Sequence, residues 1–363
     1  MTRRLRVVVC GTTFGQFYLA GIQALPQEYE LAGIVARGSD RSTACAERVG
    51  VPLYRTPAEV PADVDVACVV VRSGAMGGPG SEIAREFLAR GIHVLQEQPV
   101  HQGDLADCYR AARAGGATYR LGDLYVHLPA VRRFVAAARV LLADRAASYV
   151  DAACSMQVAF PLLHILGDAL GVLRPWQVIA VGNEGPLSVL HGTIGGIPLT
   201  LRIQNEVDPD DPDNHIHLLH RITIGTASGS LGLTDTHGPV VWNPRLHIPA
   251  AVRDRYDFAG EGTGHLGTAS SLALGPAQPP SYRESLSRHW PAAIGADLLA
   301  LRAVVLGLPG ADRPEQYHLT LSRMWQDVTS ALGYPALRPG QDHEPLPVAS
   351  LAGAVAGIAD GIS

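Results

Sequence analysis

Residues 5–20 read LRVVVCGTTFGQFYLA, and the rest of the first third follows the pattern set there. Leu5 to Cys10 is apolar apart from Arg6, which predicts a strand covered on both faces rather than one with a solvated side. Gly11 and Gly15 then bracket a tight turn, and helical spacing runs from Gly15 to Ala24. A strand that passes through a glycine turn into a helix N-terminus can hold a phosphate on free backbone N–H groups. The match to G-x-G-x-x-G is incomplete, because Thr13 and Gln16 stand where glycines are expected. Taken alone, the turn fits either a dinucleotide cradle built from Gly11, Thr12, Thr13, Phe14 and Gly15 or an ordinary strand-to-helix connection.

The same alternation recurs downstream. Strands are expected at Tyr29–Val35, Val64–Val71, Ile92–Gln96 and Thr118–Leu121, and helices at Ser42–Val49, Gly80–Arg90 and Leu105–Ala114. Apolar strands alternating with helices predict a parallel sheet covered on both faces, with ligand beyond the carboxyl ends of the strands. Cys10, Arg37, Arg72 and Glu97 fall at or near those ends. After the second strand the chain reads IVARGSDRS, so Arg37, Gly38, Ser39 and Arg41 occupy the place where NAD-selective folds carry a carboxylate. Two guanidiniums and a hydroxyl suit a 2′-phosphate, although Asp40 is also placed to accept from a ribose hydroxyl. Together with the glycine turn, this loop favours NADPH as cofactor, and Ser73 joins the cofactor-binding candidates.

From about residue 122 the periodicity changes. YVHLPAVRRFVAAARVLLA has helical spacing, and strand-like runs follow at Ala147–Cys154, Trp176–Ala180, Ser188–Ile203, His217–Ile224 and Ser230–Leu233. With no helices of any length expected between them, these runs predict an open, largely antiparallel sheet. The fold class is therefore α/β, with a dinucleotide-binding domain over 1–122 and an α+β substrate-binding and dimerisation domain over 123–363. An open sheet leaves one face for another subunit to cover, so a homodimer is expected. Residues 206–220, EVDPDDPDNHIHLLH, put His215 and His217 on one side of an extended chain. The carboxylates lack the spacing of a calcium loop, so a solvated loop without metal is expected there.

The bulk numbers exclude several classes. The chain has 363 residues, 47% of them hydrophobic and 17% charged, which describes a globular protein. A net charge of −5 gives no electrostatic case for nucleic acid. The five cysteines are scattered with no CxxC pair, which fits reduced thiols and a cytoplasmic location. The basic N-terminus is followed by too short an apolar run for a signal peptide, and no uninterrupted stretch of about 18 apolar residues predicts a membrane span.

ARGIHVLQEQPVHQGDLADCYRAARAGG, residues 89–116, resembles the Gfo/Idh/MocA oxidoreductases, whose corresponding segment commonly reads aGkhVlcEKP. VCGTTFGQFYL, EQPVH, LYVHLPAVRRF and TDTHGPVVWNPRLH are similar, within that superfamily, to thiazolinyl imine reductases of siderophore biosynthesis, and the likeness spans essentially the whole chain. It implies a Rossmann domain followed by an open-faced sheet domain. The implied reaction is NADPH-dependent reduction of a thiazoline C=N bond on a substrate tethered to the carrier domain of a nonribosomal peptide synthetase. The superfamily's usual lysine between Glu and Pro is replaced here by Gln98, an amide that exchanges no proton at neutral pH. Glu97 and Gln98 then belong with the cofactor, and a cis peptide before Pro99 is plausible. The resemblance makes Tyr125 and His101 the candidate proton donors, with His127 as a near neighbour. His164, four residues before Asp168 on one helix face, and Trp242 are candidates for the substrate pocket. Two other activities suit the same fold: a sugar or cyclitol oxidoreductase, and a non-catalytic NADP-binding regulator.

Overall fold

The computed structural model describes residues 3–73, 78–211, 215–276, 278–309, 313–339 and 346–358. Its first sheet contains β1 (Leu5–Cys10), β2 (Tyr29–Val35), β3 (Leu53–Tyr54), β4 (Val66–Val69), β5 (His93–Gln96) and β6 (Tyr119–Leu121). Their order is β3-β2-β1-β4-β5-β6, and every pairing is parallel. This is the doubly wound order, and it reverses between β1 and β4, where a crevice opens beyond the strand ends. Val7, Val8 and Val9 are fully buried, which is why the opening run carries no polar alternation. Helices α1 (Gly15–Gln23), α2 (Asp40–Val49), α3 (Gly80–Ala89) and α4 (Gln102–Gly115) make the crossovers. Only β3 escapes the sequence pattern, being a two-residue edge strand beside Ile34 and Val35.

Beyond β6 come α5 (Leu124–His127) and α6 (Pro129–Asp144), then β7 (Ala147–Ser155) and α7 (Ala159–Leu170). The remaining strands are β8 (Trp176–Glu184), β9 (Leu187–Ile194), β10 (Ile197–Gln204), β11 (Glu206–Val207), β12 (His220–Thr226), β13 (Gly229–Leu233), β14 (Val240–Pro244), β15 (Leu272–Ala273) and β16 (Ala336–Leu337). Seven of them join β7 in one eight-stranded sheet in the order β15-β14-β13-β12-β7-β10-β9-β8, antiparallel except for the β7–β10 pair. Two expectations need correction. Ser188–Ile203 is a hairpin rather than one strand, because Gly195 and Gly196 both take positive φ at its centre. The strands are also not free of helices, since α7 carries the chain from β7 to β8. One face of this sheet buries Val150, Leu201, Ile222 and Leu231, while the other leaves Tyr149, Ile179 and Val181 exposed.

The last part of the chain folds back on the first. After α8 (Ala250–Arg255), the single turn α9 (Tyr282–Glu284) passes through a π turn, Ser285–His289, into α10 (Trp290–Val305), and α11 (Glu315–Leu332) follows. Helix α10 lies on α1 and α5, and α11 lies on α4 and α7. The Tyr29 hydroxyl donates to the Leu298 carbonyl at 2.6 Å, and the Ser322 hydroxyl to the Val100 carbonyl at 2.6 Å. Buried apolar residues of both sheets and of α10 and α11 form one continuous core. All five cysteines are buried and unpaired, and no helix among the described residues is long and apolar enough to cross a membrane.

Trp325 of α11 tests the continuity of that core, being 1% exposed and packed on His101 of the first half and Phe160 of the second. Trp325→Ala should cost about 3–5 kcal/mol. Urea unfolding followed by circular dichroism should shift as a single transition; melting of one half before the other would contradict a shared core.

Candidate active site

The site is built from the β1–α1 turn outward. Gly11 has φ +94°, and a Cβ there would lie 2.4 Å from the Val70 carbonyl oxygen, so only glycine fits beside β4. Among the described residues no side chain caps α1, whose N-terminus follows the carboxyl end of β1. Thr12 is buried, and Thr13 Oγ1 accepts from Arg41 Nη2 at 2.8 Å. Gly38, at φ +83°, lies directly beneath the Arg55 guanidinium: a Cβ would fall 1.5 Å from Nη1. Arg55 Nη1 donates to the Arg37 carbonyl at 2.9 Å. A third guanidinium thus joins Arg37 and Arg41 at the rim, delivered by the short strand β3 that the sequence pattern does not reveal. Ser39 caps α2, accepting from the Ser42 N–H at 3.4 Å. Ser73 accepts from the buried Gln96 amide at 2.9 Å, and Gln96 Oε1 accepts from the Tyr119 hydroxyl at 2.8 Å.

At the end of β5, Glu97 Oε2 accepts from the Tyr18 hydroxyl at 2.5 Å. The backbone of Gly122 leaves room for that hydroxyl, because a Cβ would sit 2.8 Å from it. Burial pushes the Glu97 carboxyl up to about 8; the Tyr18 hydrogen bond opposes the rise, and the nearby charges of Asp297 and Asp123 add to it. The Gln98–Pro99 peptide is cis. Gln98 Oε1 is shielded from solvent and has no hydrogen-bond partner among the described residues, so it is an acceptor suited to an N–H donor such as a carboxamide.

Asp297 of α10 supplies the next layer. It is buried, accepting the Asp123 N–H on Oδ2 at 2.8 Å and facing His127 Nε2 from Oδ1 at 3.0 Å. Burial alone would lower the His127 pKa, but the hydrogen bond and charge of Asp297 outweigh it and raise the value. The His127 side chain remains 32% exposed. Asp123 lies 3.3 Å from His164 Nδ1 and 3.6 Å from His318 Nε2; burial opposes its ionisation, and the two imidazoles outweigh burial to hold its pKa well below the usual carboxylate range. Asp168 receives both Arg313 Nη groups at 2.7 Å and stands 3.9 Å from His164 Nε2. His164 and Asp168 therefore share a face as their spacing predicts. His164, however, is 2% exposed and enclosed by Asp123, Tyr317 and His318, so it braces the cleft from behind rather than lining an open pocket.

Tyr125 is buried edge-on to His220, with ring centroids 5.1 Å apart, and lies 5.9 Å from Trp290. Trp290 in turn meets Phe14 and Phe17, so aromatic contacts run from the glycine turn to the second sheet. Burial pushes the His220 pKa down to about 4; its Nδ1 meets Thr236 Oγ1 at 2.9 Å and its Nε2 the Val158 carbonyl at 3.0 Å. A cavity of about 450 Å³ lies beside this cluster, lined by His217, His220, Asp235 and Tyr282 among others. His101 faces elsewhere: Gln326 Nε2 lies 2.8 Å from its Nδ1, and its ring rests on Trp325 of α11. Trp242 also lies apart from the cleft, because its ring covers Gly229 in the β12–β13 turn, at the end of β12 opposite His220. Asp123, Asp297, Arg313 and His318 have no local sequence signal; Asp123 and Asp297 meet across 174 positions.

Residues 5–122 match the model for the oxidoreductase family with an NAD-binding Rossmann fold, GFO_IDH_MocA. The chain belongs to the Gfo/Idh/MocA oxidoreductases. Residues 145–243 match the model for the C-terminal domain of thiazolinyl imine reductases, Irp3-like. No curated protein sequence matches significantly. Among solved structures the fold is similar to GenD2 from gentamicin A biosynthesis in complex with NAD, with TM-score 0.65 and 17% identity over 92% of this chain and 95% of that one. UDP-N-acetylglucosamine 3-dehydrogenase GnnA from Acidithiobacillus ferrooxidans has TM-score 0.64 and 14% identity over 91% and 98%. KijD10, a 3-ketoreductase from Actinomadura kijaniata in complex with NADP, has TM-score 0.62 and 16% identity over 92% and 99%. The chain is thus an oxidoreductase with an NAD(P)-binding Rossmann domain and a mixed, largely antiparallel second sheet.

Glu97 gives this site a pH signature. Its folded pKa of about 8 lies above the ordinary value of 4.5, so the folded state binds the proton more tightly. Its contribution to stability is complete below the ordinary value and is lost as pH rises through the folded one. Urea midpoints of the wild type should therefore decline relative to Glu97→Gln as pH rises across that window; parallel profiles would refute the assignment.

Proposed function

We propose that the protein reduces the C=N bond of a thiazoline ring to thiazolidine, using NADPH, on an intermediate tethered to the carrier domain of a nonribosomal peptide synthetase. The observation that carries this reading is Gln98. It occupies the superfamily's lysine position with an amide, its oxygen buried and unpartnered among the described residues, and an amide cannot take the proton that alcohol oxidation releases. The match of residues 145–243 to imine reductases supports the same substrate class.

The residues fit the cofactor. Gly11 allows close backbone approach, α1 presents uncapped N–H groups, and Arg37, Arg41 and Arg55 collect positive charge where a 2′-phosphate would sit. Gln98 Oε1 would accept from the cofactor's carboxamide. When bound, the cofactor supplies the hydride. The proton for the thiazoline nitrogen comes from Tyr125 or His101, the two donors the family resemblance assigns. Tyr125 lies in the aromatic run between the glycine turn and β12, which supports it as the donor, and His101 lies beside Gln326. His127, two residues from Tyr125 and held by Asp297, is placed to restore the donor's proton. The exposed Tyr149, Ile179 and Val181 on the open face of the second sheet suit pairing of two copies into a homodimer.

Purified protein with NADPH should add two hydrogens to a carrier-bound thiazoline, read by mass spectrometry of the carrier. Failure on thiazolines together with turnover of a sugar or cyclitol would replace the reading, and cofactor binding with no turnover on either would make the protein a regulator. Tyr125→Phe should lower kcat by about 10²–10⁴-fold if it is the acid. Arg41→Ala and Arg55→Ala should each weaken NADPH binding by about 10-fold or more, the loss expected for a hydrogen bond to a charged group. NADH binding, measured by fluorescence titration, should barely change.

A further inference from the structure

The loop before β12 carries a second constellation that the reductase chemistry does not use. His215 and His217 share one side of the extended chain, as their spacing predicts. The fold adds a third donor that the spacing cannot show: Glu206 of β11, which pairs with β16. One Glu206 carboxylate oxygen and one ring nitrogen of each histidine lie within 4.8 Å of one another.

The backbone beneath the histidines is fixed. Gln204 is fully buried; its Nε2 donates to the His215 carbonyl at 2.9 Å, and its Oε1 accepts from the His217 N–H at 2.8 Å and the Ser155 hydroxyl at 2.7 Å. Both imidazoles are thereby held on one side, with ring centroids 5.8 Å apart. His215 Nε2 is shielded from solvent and has no hydrogen-bond partner among the described residues, and it stands 3.7 Å from Glu206 Oε2. The other carboxylate oxygen accepts from Arg338 Nε at 3.1 Å, which turns Oε2 toward the histidines.

We propose that Glu206, His215 and His217 bind one divalent transition-metal ion of the zinc class. Two imidazoles and one carboxylate suit zinc, whereas calcium and magnesium call for oxygen ligands throughout. Bonds of about 2.1 Å place tetrahedral donors about 3.4 Å apart, so the three side chains close by about an ångström on binding. The fourth position is left to water or another ligand. His217 also lines the cavity beside His220, so the ion would fix one wall of that cavity.

The test uses the full-length protein stripped with a chelator and titrated with zinc chloride against a chromophoric competitor. One saturable equivalent should bind. His217→Ala, an exposed position, and Glu206→Gln should each weaken it at least 10-fold, with magnesium and calcium failing to compete. Zinc should also raise the melting temperature of the wild type and not that of His217→Ala, since only a ligand of the folded state stabilises it. No saturable equivalent in the wild type, or unchanged affinity in His217→Ala, would overturn the site. Neither readout depends on turnover, so the result stands apart from the reductase reading.

Discussion

Asp297 is a carboxylate held out of water within α10, and the two donors it uses both come from the segment that joins the sheets. Burial raises the Asp297 pKa, and a buried carboxyl group without partners is strongly unfavourable, so the Asp123 N–H and the His127 ring cannot leave it without stranding its oxygens. That constraint fixes the stretch from Gly122 to His127 against α10. It sets the Gly122 backbone beside the Tyr18 hydroxyl, and with it the hydrogen bond to Glu97. It also holds Tyr125 between Trp290 and His220. The cleft between the two sheets is therefore positioned by a helix that the chain makes almost three hundred residues after its first strand.

Besides Asp297, three carboxylates crowd this junction, and the protein treats them differently. Asp123 has His164 and His318 at its side and Arg313 Nε at 3.8 Å, so its charge is favoured despite burial. Asp168 fixes that arginine through a paired contact, which makes the network self-consistent. Glu97 has only the Tyr18 hydroxyl and feels both aspartates, so burial and repulsion favour its protonated form. Charge is concentrated behind the cleft and thinned where the cofactor would lie. Such a gradient reduces repulsion toward a cofactor that carries phosphates.

The first domain was legible because its signals are local. Fully apolar strands, glycine turns and helical spacing each report on a few neighbouring residues, and the observed strands differ from the expected ones by a residue or two at their ends. The second domain was legible in class but not in detail. A Gly-Gly turn buried inside an apolar run hid a hairpin, and the parallel β7–β10 pair depends on partners far apart in sequence. The candidate site divides the same way. The glycine turn and basic loop are contiguous motifs, while Asp297, Arg313 and Arg55 act through space and carry no spacing signal. Trp242 and His164 mark the converse case. An aromatic side chain and a helical His/Asp pair fit either packing or substrate contact, and only their surroundings decide.

Gln98 shows why a single amide alters the chemistry of the whole cleft. A lysine at that strand end would place a cation beside Glu97 and favour its ionisation, as an opposite charge close by does for any carboxylate. With an amide there, Glu97 keeps its raised pKa, and neither residue delivers an ammonium to the substrate. On the proposed reading, proton supply comes from another wall. The groups on that wall are a phenol set in an aromatic run and an imidazole paired with Asp297, both on the segment that Asp297 immobilises. Losing the lysine and fixing the segment at 122–127 are thus two sides of one arrangement. A reduction that needs a proton at nitrogen is compatible with it, whereas an oxidation that must remove one from a hydroxyl through the strand-end side chain is not.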